Sequence, residues 1–179
     1  ETGVQGPVEI HPVGETRRRN RMTGRIADTH ANGFAISVLQ SFGNCPKYIQ
    51  TRSVRSIEPK VTQVQSAPHF NAQAIEVISN ADTLLIATAW RGTENATNHG
   101  ADVSHRGGKP GFVRVLDDTT FVFPDFPGNN AFNTLGNLEL TPRAGFLFAD
   151  FARGDLLTMT GTTLSAAGGG PICTASSAI

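Results

Sequence analysis

Apolar positions in this chain recur mostly with a period of two, the spacing of strands that turn one face inward. In "RMTGRIADTHANGFAISVLQSF", residues 21–42, Phe34, Ile36 and Val38 fall on one face and Ala35 and Ser37 on the other. Asn-Gly between two alternating runs is a strong hairpin signal, so two strands joined by a turn at Asn32-Gly33 are predicted. "GNCPKYIQTR" reads as a Pro-punctuated turn with a short helix, and 53–68, polar with Pro59 and Pro68, as a connector. The period then changes. Phe70, Ala74, Val77 and Ile78 stand at helical spacing in "FNAQAIEVISNA".

"DTLLIATAW" is a short continuous apolar run, read as a buried strand. Strands follow in 100–106 and 112–115, on either side of the turn Gly107-Gly108-Lys109-Pro110-Gly111. "DDTTFVFPDF" is a strand stopped by Pro124, and "GNNAFNTLGNLEL" a helix with Asn caps. "RAGFLFADF" and "DLLTMTGTT" are two strands joined by Ala152-Arg153-Gly154-Asp155. The Gly/Ala/Ser-rich residues 165–179 read as a poorly ordered tail. "RMTG" at Arg21–Gly24 echoes "TMTG" at Thr158–Gly161, as though 1–52 held strands of an earlier copy of the same fold. A mainly β chain with a few helices, built as a six- to eight-stranded barrel, fits these elements better than a parallel layered fold.

Composition narrows the picture. At 179 residues the chain is long enough to bury a core without staples. It opens on Glu1, which reads as a fragment or a processed form. The formal net charge is zero, so no electrostatic footprint for nucleic acid or an anionic membrane is visible. No apolar run approaches the ~18 residues of a membrane-spanning helix. The basic cluster Arg17-Arg18-Arg19 with Arg21 reads as a solvated strand edge. Cys45 and Cys173 match no zinc or redox spacing, which favours a reducing, cytoplasmic compartment.

Two stretches carry candidate chemistry. In the first, Ser104, His105 and Arg106 end a strand just before a Gly-rich loop. A hydroxyl, an imidazole and a forked cation there suit a polar or phosphate-bearing ligand. In the second, Asn129 and Asn130 precede a helix whose first turn holds Asn133 and Thr134. One Asn suffices for a cap, so the excess points to an anion at the helix N-terminus. His99 and His105 flank one loop, but a metal usually needs three protein ligands, and none is assigned. No nucleophile elbow and no phosphate loop of the Walker type is present.

The stretches "GADVSHRGGKPGFVRV" and "FPDFPGNNAFNTLGNLELTPRAGFLFADFARGDLLTMTG" resemble the pyridoxamine 5'-phosphate oxidase-like flavin-binding proteins. The likeness is to the branch of predicted flavin-nucleotide-binding proteins, and "TRRRNRMTGRI" and "QSFGNCPKYIQTR" resemble what precedes the second barrel there. It spans most of residues 8–161. The resemblance implies an FMN-binding split β-barrel over 69–164, with 1–52 an incomplete N-terminal barrel segment and 53–68 the connector. It implies a homodimer with FMN at the subunit interface, and a ferredoxin-reductase-type domain or protein as partner. Ser104, His105 and Arg106 would line the flavin, and Asp125, Asn129 and Asn130 would border the ribityl phosphate. Asn133 and Thr134 would present the helix N-terminus to it.

The chain departs from that pattern at Ala131, where many relatives carry a large or basic residue. It lacks the C-terminal Arg/His motif that grips pyridoxal phosphate, and after Gly161 the likeness ends, as though barrel strands were missing. The resemblance implies an FMN-dependent redox module. Two other readings stay open: a non-catalytic module holding flavin, deazaflavin or haem, and a dimerisation module that binds nothing.

Overall fold

The computed structural model describes residues 5–10, 17–43, 45–53, 64–90, 92, 100–128, 130–165 and 171–178. The predicted connector 53–68 therefore lies largely outside the described residues, as do His99 and Asn129. Ten strands and two helices form among the described residues. Strands β1 (Gln5–Ile10), β2 (Asn20–His30) and β3 (Gly33–Gly43) make a three-stranded antiparallel sheet in that order. Seven more strands make the second sheet: β4 (Thr83–Trp90), β5 (Gly100–Gly107), β6 (Arg114–Val115), β7 (Thr120–Val122), β8 (Arg143–Asp150), β9 (Asp155–Ser165) and β10 (Pro171–Ala178). Their order is β5-β4-β8-β9-β10-β7-β6, antiparallel throughout.

The larger sheet coils on itself. Phe121 of β7 meets Phe146 and Phe148 of β8 edge-on, with ring centroids 5.2 and 5.7 Å apart, although β9 and β10 lie between those strands in the sheet. The edge strands β5 and β6 do not pair with each other among the described residues, so the barrel is split. The mainly β, split-barrel architecture with few helices is thus present.

Alternation sets the core. Leu84 and Ile86 of β4 and Ala144, Phe146 and Phe148 of β8 point inward, while Leu85, Ala87, Gly145 and Leu147 are only half-buried. The apolar run at 82–90 is therefore a strand with one buried face, not two. Burying a ring such as Phe148 completely contributes about 1.5–3 kcal/mol. Helix α1 (Ala72–Asn80) closes one side through Ala74 and Ile78, with Phe70 just before it in the same core. Its N-cap is Asn71, whose Oδ1 accepts from the Ala74 amide at 2.8 Å. The turn from β8 to β9 is held by Asp150, whose carboxylate accepts from the amides of Arg153 and Ala152 at 3.1 and 2.9 Å. The Arg153 amide foremost holds its carboxyl below the ordinary Asp range.

Four expectations need correction. The loop of the β2–β3 hairpin is Ala31-Asn32, because His30 pairs with Gly33, one residue earlier than the Asn-Gly signal indicates. Residues 45–52 form a turn and extended chain without a helix. The run read as a tail contains β10, which pairs with β9 on one side and β7 on the other. Main-chain ladders need no large side chains, so a Gly/Ala/Ser-rich composition hides such a strand. Among the described residues, β10 is the link in the strand order between the β6–β7 ribbon and the rest of the sheet. Finally, Arg19 and Arg21 are buried, and only Arg17 and Arg18 of the basic cluster face solvent.

Candidate functional site

A cleft of about 370 Å³ opens where the end of β5, the 124–128 segment and helix α2 (Asn133–Leu140) converge with the chain at 45–48. Of the residues singled out in the sequence, Ser104, His105, Arg106, Asp125, Asn130, Asn133 and Thr134 all line it. Asn129 lies outside the described residues. Sequence reasoning missed Arg21, Lys47, Tyr48 and Phe126, which line the same cleft.

The polar floor is a network centred on Asp102. This carboxylate is 4% exposed and lies on β5, two residues before Ser104. Its Oδ1 meets Arg21 Nη1 at 2.9 Å. Its Oδ2 accepts from Thr134 Oγ1 at 2.7 Å and from Ser104 Oγ at 3.2 Å. Arg21 Nη1 also donates to Ser104 Oγ at 2.5 Å and to the Val103 carbonyl at 3.2 Å. The Phe42 ring centroid lies 5.5 Å from its guanidinium carbon. A buried charge is tolerated when paired and fully hydrogen-bonded, and here three partners meet one carboxylate. Thus the Ser104 and Thr134 hydroxyls, expected to face a ligand, are engaged by Asp102. The same network ties the smaller sheet to the barrel and to the first turn of α2.

The second ion pair lies nearer the opening. Arg106 Nη1 bonds Asp125 Oδ1, with side chains 21% and 28% exposed. Asp125 sits between Pro124 and Phe126-Pro127, and the prolines fix φ on either side of it.

The N-cap position of helix α2 is not an Asn among the described residues, and Asn129 lies outside them. The N-cap is Phe132, in the left-handed region at φ 54°, and no side-chain cap hydrogen bond is present there among the described residues. Asn130 also has a left-handed backbone, at φ 57°, but stands two residues too early to cap. That conformation is unusual for a bulky residue such as Phe. Asn133, Thr134 and Leu135 line the cleft, so the first turn of α2, whose amides have no intrahelical partner, and its positive dipole end open onto it.

The aromatic side comes from a strap before the barrel. Tyr48, itself at φ 67°, stacks on Phe126 with centroids 4.9 Å apart and planes 26° from parallel. Lys47 lies 5.1 Å from the Tyr48 ring and donates to the Pro127 carbonyl at 3.5 Å. Gly107 makes this approach feasible, because a Cβ there would overlap the Tyr48 carbonyl oxygen. The aromatic residues Tyr48 and Phe126 were the missed signal, since a Tyr beside Lys in a Pro turn is a ligand-wall composition as much as a loop one.

Against known proteins, no family model and no curated protein matches the chain. Solved structures do. A putative pyridoxamine 5'-phosphate oxidase from Lactobacillus delbrueckii aligns over 63% of this chain and 95% of its own, at 9% identity and a TM-score of 0.47. HupZ of Group A Streptococcus aligns over 59% of this chain and 89% of its own, at 15% identity and a TM-score of 0.44. A variant of HupZ aligns similarly, at 14% identity. No helix among the described residues is long and apolar enough to cross a membrane.

Proposed function

We propose that the cleft binds FMN and that the chain is a flavin-dependent redox module. The observation that carries this reading is the mixed lining of one cleft. Arg106 and the first turn of α2 are groups suited to a phosphate. The Tyr48–Phe126 stack is a surface suited to a flat ring. The volume lies in the roughly 300–1,000 Å³ range of small-molecule and cofactor sites. The resemblance of the 100–115 and 123–161 stretches to flavin-binding proteins supports the same ligand.

Bound there, FMN would supply hydride or electron transfer. The protein's part is to hold and orient it. Arg106 and the amides of Asn133 and Thr134 would hold the phosphate, Lys47 would add positive charge nearby, and Tyr48 and Phe126 would exclude water from the ring. Ala131, exposed on the cleft wall, contributes no charge of its own. His105, on the same lining, is the nearest candidate for moving a proton, and the electrons would come from an external reductant. A homodimer and a ferredoxin-reductase-type partner are the proposed setting.

The test is an absorbance spectrum of the purified protein before and after addition of FMN and desalting. Retained oxidised-flavin bands are expected. A Soret band would move the reading to haem, and a chromophore-free protein would remove the cofactor claim. A bound flavin that NAD(P)H leaves oxidised, even with a reductase added, would make this a binding module without turnover.

A further inference from the structure

The cleft's two guanidinium groups are both already neutralised from within the chain. Arg21 is paired with Asp102 and Arg106 with Asp125. Each carboxylate balances its arginine through Nη1, and Nε of both arginines is buried with no hydrogen-bond partner among the described residues, so an incoming anion competes with the carboxylate for the charge and not for every donor. The two pairs differ in what that competition costs. Arg21 and Asp102 have side chains 7% and 6% exposed, and Asp102 also holds Ser104 and Thr134. Displacing it would leave a buried carboxylate uncompensated. Arg106 and Asp125 are several times more open, and no other hydrogen bond of the Asp125 carboxylate is present among those described. Water can take over its solvation when it leaves.

We infer that Asp125 is an internal stand-in for the ligand's anionic group: it occupies Arg106 in the empty cleft and is exchanged for the ligand's phosphate, while Arg21–Asp102 remains closed. This rests on the reading of the cleft as a phosphate-bearing ligand's site, and it alters the role of Asp125. The residue is a competitor that sets affinity, rather than a ligand to the ribityl phosphate. The exchange also sets specificity. A ligand with a dianionic phosphate outcompetes one carboxylate for a forked guanidinium, whereas a neutral analogue of the same ring has nothing to offer in return. Phosphorylated flavin would be selected over riboflavin at this step.

The experiment titrates FMN and riboflavin, by flavin fluorescence, and inorganic phosphate, by its effect on the thermal midpoint, into three proteins: wild type, Asp125→Asn and the double variant Asp125→Asn/Arg106→Ala. The competing charge of a part-exposed pair corresponds to about a fivefold change. Asp125→Asn should bind FMN about fivefold more tightly with riboflavin unchanged, and phosphate should raise its midpoint more than that of wild type. The double variant should lose both gains. Unchanged or weakened FMN binding in Asp125→Asn, with wild type binding FMN, overturns the exchange and leaves the flavin reading standing. The reverse separation is equally readable. If no variant binds FMN but phosphate stabilises Asp125→Asn more than wild type, the exchange holds and the flavin reading fails. No phosphate gain and no FMN gain overturns the exchange outright.

Discussion

Arg21–Asp102 and Arg106–Asp125 have the same chemistry, each uses one residue of β5, and Arg21, Arg106 and Asp125 line one cleft, yet their surroundings assign the two pairs different work. The first joins two sheets. Arg21 comes from β2 and Asp102 from β5, and the carboxylate gathers the hydroxyls of Ser104 and Thr134 as well. Water hardly reaches it, so neither charge can be exposed singly without a large penalty. The second joins the end of β5 to a Pro-bounded segment and stands in partial contact with solvent. The lesson is that the presence of an arginine in a cleft does not make it a ligand group. What decides is whether its own carboxylate can leave.

The sharpest way to break this comparison is to remove the buried carboxylate. Asp102→Ala leaves the Arg21 guanidinium buried without its counter-charge and removes the acceptor of the Thr134 hydroxyl and one of the two side-chain partners of Ser104. The expected loss of stability is about 3–5 kcal/mol, read as a lower urea midpoint. A loss below about 1 kcal/mol would mean that water reaches this pair, and the two pairs would then be equivalent.

Much of this arrangement was legible in the sequence, and the exceptions share a cause. Periodicity found α1 through Ala74 and Ile78, and β8 through Phe146 and Phe148, because local spacing alone decides which face is buried. The two polar stretches at 104–106 and 125–134 were singled out from residue type, and the described residues of both line one cleft. Asp102 was passed over although it lies inside the quoted motif. Its importance comes from Arg21, which belongs to another sheet, and no spacing rule joins two such distant positions. For the same reason Arg21 read as solvated. β10 was hidden by its small residues, since its place between β9 and β7 is written in main-chain hydrogen bonds. At α2, the residue type pointed to an Asn cap, but the backbone turns left-handed at Asn130 and Phe132 and starts the helix later.

A middle-sized effect separates the strap from the buried network. Gly107→Ala puts a methyl group onto the Tyr48 carbonyl, so the 45–48 chain must shift and the Tyr48–Phe126 stack must loosen. Overpacking of this kind costs about 1–3 kcal/mol. The near-UV circular dichroism of the aromatic pair should weaken while the Asp102 network keeps the two sheets together. An unchanged aromatic signal would mean that the strap follows the methyl group without losing its stack, and the cleft wall would be more adaptable than the close approach implies.

The smallest expected effect tests the open pair directly. Arg106→Ala removes a guanidinium whose partner is already part-solvated, and the freed Asp125 carboxylate can complete its hydration in the cleft. Stability should fall by less than about 1 kcal/mol, because part-exposed pairs gain little over their solvated halves. FMN binding should nevertheless drop, since a charge-assisted bond to phosphate contributes about 1.5–3 kcal/mol. Denaturant midpoints and FMN titrations on one protein preparation read both quantities. The buried pair predicts the opposite ratio, a large stability loss first. A variant at Arg106 that unfolds as readily as Asp102→Ala would show that both pairs are structural, and the anion would then have to find its cation elsewhere in the cleft, with Lys47 the remaining candidate among the lining residues.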